Sequence, residues 1–106
     1  MSYLLQDARA AVNVGDEIGV TRPTTYAIVE VYGTFVGTVN FEFKIADAPN
    51  GGGFLALRGT NLSTGSEVTS TTVPGAFRFN VLGLSAIRAP VAAWTSGAIT
   101  VSVRFF

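Results

Sequence analysis

Hydrophobic and polar residues alternate along several stretches of the chain, and a period of two is typical of half-buried β-strands. In residues 38–45 the alternation predicts four inward side chains: Val39, Phe41, Phe43 and Ile45. In residues 75–83 it predicts Phe77, Phe79 and Val81. In residues 99–105 it predicts Ile99, Val101, Val103 and Phe105. The same alternation places Arg104 and Phe106 on the outer face of the last strand.

Turn residues separate these stretches at intervals that favour an all-β fold. Residues 25–33 are rich in β-branched and aromatic residues and close on Gly33, and the polar residues 67–73 predict an edge strand. We expect about seven or eight strands spaced roughly 8–12 residues apart, which is typical of a sandwich or barrel. Because no connection is long enough for a parallel crossover, the prediction is an antiparallel, jelly-roll-like β-sandwich. Pro90 lacks an N–H, so residues 86–93 are not expected to form an unbroken central strand.

The first 24 residues differ from the remainder, and we divide the chain into a segment 1–24 and a β-sandwich domain 25–106. The segment is predicted to be an N-terminal arm, with Tyr3, Leu4 and Leu5 as apolar anchors for a partner. The alternative is that these residues form an extra edge strand of the same domain, and the sequence does not separate the two.

Composition favours a subunit over a solitary monomer. Charged residues make up 13% of the chain and the net charge is zero, whereas a typical globular protein has about 25% charged residues. Because neutrality promotes association, we expect a subunit whose surface is largely covered by neighbours. The alternative is a monomer with a surface rich in Thr, Ser and Asn.

The residue types offer little for catalysis. The chain has no His and no Cys, so no ordinary base is present to activate its many hydroxyl groups. Lys44 lies beside Glu42 in an alternating strand, and a Glu30–Glu42 acid pair is better explained as outward polar positions. The adjacent acids Asp16 and Glu17 lack the spacing of a calcium loop. We therefore predict no catalytic residue, cofactor or metal, and no enzyme.

Charge and hydropathy argue against two classes of partner. The six arginines are scattered among seven acids, so no basic run exists to attract nucleic acid. The N-terminal residues have charges at Asp7 and Arg9 and no long apolar run, so neither a signal peptide nor a membrane helix is predicted.

Aromatic residues offer one alternative function. Trp94 precedes a Thr-Ser-Gly turn, which predicts a C-terminal hairpin with Trp94 at its tip. Trp94 with Tyr32 would suit the stacking of sugar rings, which is how a carbohydrate-binding module attaches to a host glycan. Packing in a core or an interface explains the same residues.

Three segments together resemble a β-sandwich domain of tailed-bacteriophage virion structural proteins. They are "GTFVGTVNFEFKI", "GGGFLALRGTNLSTGSEVTSTT" and "GAFRFNVLGLSAIRAPVAAWTSGAITVSVRF". The resemblance covers residues 25–106 and rests on turn glycines and alternation. The sequence departs from the pattern at two loop tips: the usual short Asp-Gly-Gly turn is lengthened to "ADAPNGGGF", and Trp94 stands where Tyr is common.

The resemblance implies a head decoration (cement) protein that binds the major capsid protein and forms a homo-oligomer, a trimer or a dimer. The alternative is a tail or baseplate component. Such a protein is made in the host cytoplasm and located in the virion, at the capsid surface or the tail. Phe106 is expected to meet a neighbouring subunit or the N-terminal arm. The predicted interface residues are Tyr3, Leu4, Leu5, Trp94, Arg104 and Phe106.

Overall fold

The computed structural model describes residues 2–20, 25–45 and 54–106. These residues form short and medium β-strands and no helix. The strands are β1 (Ser2–Arg9), β2 (Ile18–Gly19), β3 (Tyr26–Tyr32), β4 (Phe35–Asn40), β5 (Glu42–Lys44), β6 (Leu55–Ala56), β7 (Gly59–Asn61), β8 (Glu67–Val68), β9 (Ser70–Thr71), β10 (Gly75–Asn80), β11 (Ala86–Arg88), β12 (Val91–Gly97) and β13 (Ile99–Phe105).

The strands form three antiparallel sheets. A six-stranded sheet has the order β1-β13-β3-β10-β7-β8, a four-stranded sheet the order β2-β11-β5-β6, and a three-stranded sheet the order β12-β4-β9. The prediction of an all-β antiparallel sandwich is confirmed. The predicted polar edge strand is two strands, β8 and β9, and each lies at the edge of a different sheet.

The core lies between the six-stranded sheet and the two smaller sheets. Phe41 bridges the layers, with its ring centroid 5.1 Å from that of Phe77 and 4.9 Å from that of Phe79. All three side chains are buried, and burying one such ring contributes about 1.5–3 kcal/mol. Eight of the predicted inward residues are buried: Val39, Phe41, Phe77, Phe79, Val81, Ile99, Val101 and Val103.

The remaining three predicted inward residues lie where strands end. Phe43 and Phe105 are half-buried and pack against the core. The inward prediction for Ile45 is wrong, since its side chain is 49% exposed. β5 ends at Lys44, so the alternation no longer fixes the direction of the next side chain.

Two adjacent corners carry the chain between the layers. β3 and β13 pair in the six-stranded sheet, and their continuations β4 and β12 pair in the three-stranded sheet. The corners lie at Gly33 and Gly97, which have φ of 115° and 86°. The prediction of a C-terminal hairpin is therefore wrong, because β12 and β13 are joined by a corner and pair with other strands.

Pro90 lies where the sequence predicted a break. It separates β11 in the four-stranded sheet from β12 in the three-stranded sheet. Its carbonyl accepts a hydrogen bond from the Asn40 N–H at 2.9 Å. Because no ladder bond is required of the missing Pro90 N–H at this change of sheet, the residue is tolerated in the interior.

The N-terminal residues belong to the sheets. β1 pairs with β13 and forms the edge of the six-stranded sheet, and β2 pairs with β11. The sequence left two alternatives for Tyr3, Leu4 and Leu5, an arm or an extra edge strand of the same domain. The structure shows the edge strand. A register shift between Leu4 and Gln6 places Leu5 and Gln6 both in the interior, each 1% exposed. The prediction that Leu5 anchors a partner is therefore wrong, because this bulge turns it into the core.

Ala8 gives a stability prediction within the same irregular strand. It has φ of 46°, the one non-glycine residue with positive φ in the described part of the chain. Because an L-residue in this region costs about 1–2 kcal/mol, we expect Ala8→Gly to raise the free energy of unfolding by about 0.5–1 kcal/mol, measured in urea. Ala92→Gly, at an exposed position within β12, is the control and is expected to lower it by a similar amount. Equal losses in both variants would contradict the strain at Ala8.

Candidate interaction surface

The side of the six-stranded sheet that faces away from the core carries an unusual number of apolar and aromatic side chains. We call this surface the outer face, and it consists of Leu4, Tyr26, Ile28, Glu30, Tyr32, Arg78, Ser102, Arg104 and Phe106. Alternation produces it, because Ala27, Val29 and Val31 of β3 are buried and their neighbours in sequence point the opposite way. Leu4, Tyr32 and Phe106 are 43%, 45% and 49% exposed.

Strand register places these side chains in adjoining rows. Leu4 is opposite Ser102, and Ser102 is opposite Glu30. In the next row Ile28 lies between Arg104 on β13 and Arg78 on β10. The outer face therefore places a carboxylate next to a row of two guanidinium groups that flank an isoleucine.

Two open depressions lie side by side on this face. The first is lined by Tyr3, Leu4, Glu30, Tyr32 and Ser102. The second is lined by Ile28, Glu30, Ser102, Arg104 and Phe106. They share Glu30 and Ser102, so the Glu30 carboxylate can contact a group bound in either one.

Phe106 lies at one end of the outer face, beside Tyr26. Its N–H donates to the Tyr26 carbonyl at 2.9 Å, and the two rings stack with centroids 5.1 Å apart and an interplanar angle of 14°. The Arg78 guanidinium lies over the Tyr26 ring at 4.2 Å. Phe106 therefore contacts the sheet rather than the N-terminal residues, and its contact with a neighbouring subunit stays a prediction.

The charges of the outer face have no ion-pair partner within the described residues. Glu30, Arg78 and Arg104 are all exposed, and none is in any salt bridge found among residues 2–20, 25–45 and 54–106. Charges on the four-stranded sheet are paired instead. Arg88 Nε donates to Glu42 Oε1 at 2.7 Å, and Lys44 Nζ is 3.2 Å from Glu17 Oε2.

The structure brings together three of the six predicted interface residues and places a fourth beside them. Leu4, Arg104 and Phe106 lie on the outer face. Tyr3 lines its first depression and packs on Phe105 with ring centroids 5.9 Å apart. Leu5 is in the core, as described above.

Trp94 lies apart from these residues, in the three-stranded sheet. It is half-buried against the core, and its Nε1–H donates to the Gly97 carbonyl at 3.0 Å. Tyr32 lies on the outer face of the other layer, so the structure does not assemble the Trp94–Tyr32 pair considered for sugar binding. Trp94 packs on the corner of the sandwich.

Sequence reasoning missed the role of β3 in this surface. Ile28, Glu30 and Arg78 were not among the predicted interface residues. The signal was present in β3, whose sequence YAIVEVY puts apolar or aromatic side chains on both faces of the strand. Such a strand is typical of a sheet covered on both sides.

The described residues offer no assembled catalytic or metal site. Glu30 and Glu42 lie in different sheets, so they do not form a convergent acid pair. No group of three or more acidic residues in the described ranges is arranged to hold a metal ion. None of the described segments forms a helix that is long and apolar enough to cross a membrane.

Comparison with known proteins finds similarity in structure and none in sequence families. The chain matches no protein-family model and no curated protein sequence. The structure is similar to the crystal structure of YomS, derived from the SPBc2 prophage, with a TM-score of 0.85 and 19% identity over 100% of this chain and 92% of that one. It is also similar to the PBSX exported protein XepA, with a TM-score of 0.90 and 22% identity over 99% of this chain and 37% of XepA. The chain therefore has a β-sandwich fold that occurs in two phage-derived proteins, as nearly the whole of one and as part of the other.

Proposed function

We propose that this chain is a structural protein of a bacteriophage virion, a capsid decoration protein that binds the major capsid protein through its outer face. The observation that carries the proposal is the outer face itself. Leu4, Tyr32 and Phe106 are exposed on one sheet surface beside charges without partners, and this combination is typical of a protein-binding surface.

The fold and the chemistry support the same proposal. Two phage-derived proteins have this fold, which supports a phage origin and a location in the virion. The proposed activity is binding, and many copies on a symmetric particle supply avidity even where each single contact is weak.

Binding to purified phage heads tests the proposal. The protein is mixed with heads that lack it and, separately, with tails, and the bound fraction is measured by sedimentation. We expect saturable binding to heads. The double variant Leu4→Ser with Phe106→Ser is expected to bind at least about tenfold more weakly, because two apolar contacts at the interface are lost.

The matched control is Leu82→Ser. Leu82 is 70% exposed and lies in the turn after β10, outside the outer face, so its replacement is expected to leave binding unchanged. Binding to tails alone would overturn decoration and point to a tail or baseplate component. Binding to neither particle would overturn the virion proposal.

A further inference from the structure

The first depression of the outer face has the chemistry of a site for a cation. Its lining consists of two tyrosines, a leucine, a serine and a single carboxylate, that of Glu30. The exposed ring of Tyr32 can attract a cation over its face, the carboxylate can pair with it, and Leu4 offers apolar surface to an alkyl stem. No other charged side chain of the described residues lines this depression.

Glu30 is available for such a ligand. Its side chain is exposed, and within the described ranges it forms neither a side-chain hydrogen bond nor a salt bridge. It lies opposite Ser102 on β13, and Leu4 and Tyr32 line the same depression. Tyr32 is 45% exposed, so its ring can contact a ligand without a change in the fold.

Nearby cations of the chain itself limit what the depression binds. Arg104 lines the second depression together with Glu30, yet no ion pair joins them in the structure. The Arg78 guanidinium lies over the Tyr26 ring. These cations make an anionic ligand group near Glu30 acceptable, and they weaken the binding of a cation in the first depression because like charges repel each other.

We propose that the depression lined by Tyr3, Leu4, Glu30, Tyr32 and Ser102 binds the guanidinium group of an arginine side chain from a partner protein. Arginine fits better than lysine, because its planar group pairs with a carboxylate and stacks on an aromatic ring at the same time. That the arginine belongs to a neighbouring virion protein rests on the proposed function. The arginine-binding chemistry of the first depression does not depend on the proposed function.

Titration with a small probe tests the pocket without any virion component. The ¹⁵N-labelled protein is titrated with N-acetyl-arginine amide and followed by NMR, with N-acetyl-citrulline amide as the neutral control of the same shape. We expect millimolar binding of the arginine probe, with the largest amide shifts at Leu4, Glu30, Tyr32 and Ser102. The citrulline probe is expected to bind at least about fivefold more weakly, since it makes no ion pair and no cation–π contact.

Variants at exposed residues are expected to fold like the wild type, so changes in probe binding report on the depression itself. Glu30→Gln and Tyr32→Leu are each expected to weaken the arginine probe several-fold, whereas Tyr32→Phe keeps the ring and the binding. Glu67→Gln removes the same charge from β8, away from the depression, and is the control. Arg104→Gln is expected to bind at least as tightly as the wild type, since a competing cation is removed.

The outcomes separate this proposal from the proposed function. Equal binding of both probes, shifts elsewhere on the surface, or wild-type affinity in Glu30→Gln would overturn the arginine pocket. If any of these results were found together with normal binding to heads, the decoration proposal would still stand. Binding of the arginine probe in the first depression, without binding of the protein to heads or tails, would overturn decoration and support the arginine site.

Discussion

Gly97→Ala is expected to lower the free energy of unfolding by about 2–5 kcal/mol, measured by urea denaturation. Gly97 forms the second of the two corners, with φ of 86°. A Cβ at this position would collide with the Thr34 carbonyl oxygen and would lie 2.7 Å from Phe35 Cα. Both neighbours are backbone atoms of the other corner, so neither can move away cheaply.

Gly65→Ala is the matched control for this prediction. Gly65 has a similar φ of 77°, but no atom of the described residues lies within 4 Å of the place that an alanine Cβ would occupy. The variant therefore loses only the conformational term, about 1–2 kcal/mol. The difference between the two losses in the free energy of unfolding measures the cost of placing a Cβ where the two corners approach each other closely. Equal losses would contradict the interpretation that the paired strands bend together.

Gln6→Leu is expected to lower the free energy of unfolding by about 1–3 kcal/mol, because it leaves the buried Ala89 carbonyl without its Gln6 partner. The buried Gln6 amide donates to the Ala89 carbonyl at 3.0 Å and to the Asn13 carbonyl at 3.1 Å, and its oxygen accepts from Arg9 Nε at 3.1 Å. Leucine has a similar size but leaves the Ala89 carbonyl without this partner. A buried polar group that loses its partner costs about 1–3 kcal/mol. Urea denaturation measures the loss.

Arg9→Ala separates the parts of this network. It removes the bond to the part-buried Gln6 oxygen and keeps both bonds to the carbonyls, so we expect a smaller loss than in Gln6→Leu, about 1 kcal/mol. A Gln6→Leu variant as stable as the wild type would mean that Gln6 does not tie the edge strand β1 to the opposite layer.

Alternation predicted the interior well because it is a local property of each strand. It placed Phe77, Phe79 and Val81 correctly, since the period of two holds wherever one face of a regular strand is buried. Leu5 lies outside the alternating stretches, in a strand where a bulge puts two consecutive side chains inside. Alternation failed at Ile45, where the strand had already ended.

The choice of sheet could not be predicted from the pattern. The sequence around Gly97 reads as a turn followed by an alternating strand, and the corner is revealed by the pairing of β12 with β4 and of β13 with β3. That pairing joins residues far apart in the sequence. The local pattern of the sequence therefore does not indicate the corner.

The candidate surface was predicted in part. Leu4, Arg104 and Phe106 were found from apolar character and alternation, and the structure places them on one face. Glu30 and Ile28 were missed, because their place beside β13 depends on pairing between distant strands. Trp94 was placed at the tip of a hairpin, whereas it lies within β12 and is half-buried.

Site-specific crosslinking on assembled phage heads tests the central claim most directly. Benzoylphenylalanine replaces Phe106 in one variant and Leu82 in another, the decorated heads are irradiated, and the products are identified by mass spectrometry. We expect a crosslink from position 106 to the major capsid protein, with little or none from position 82. Crosslinks from position 82 alone would contradict the claim that the outer face of the six-stranded sheet binds the capsid.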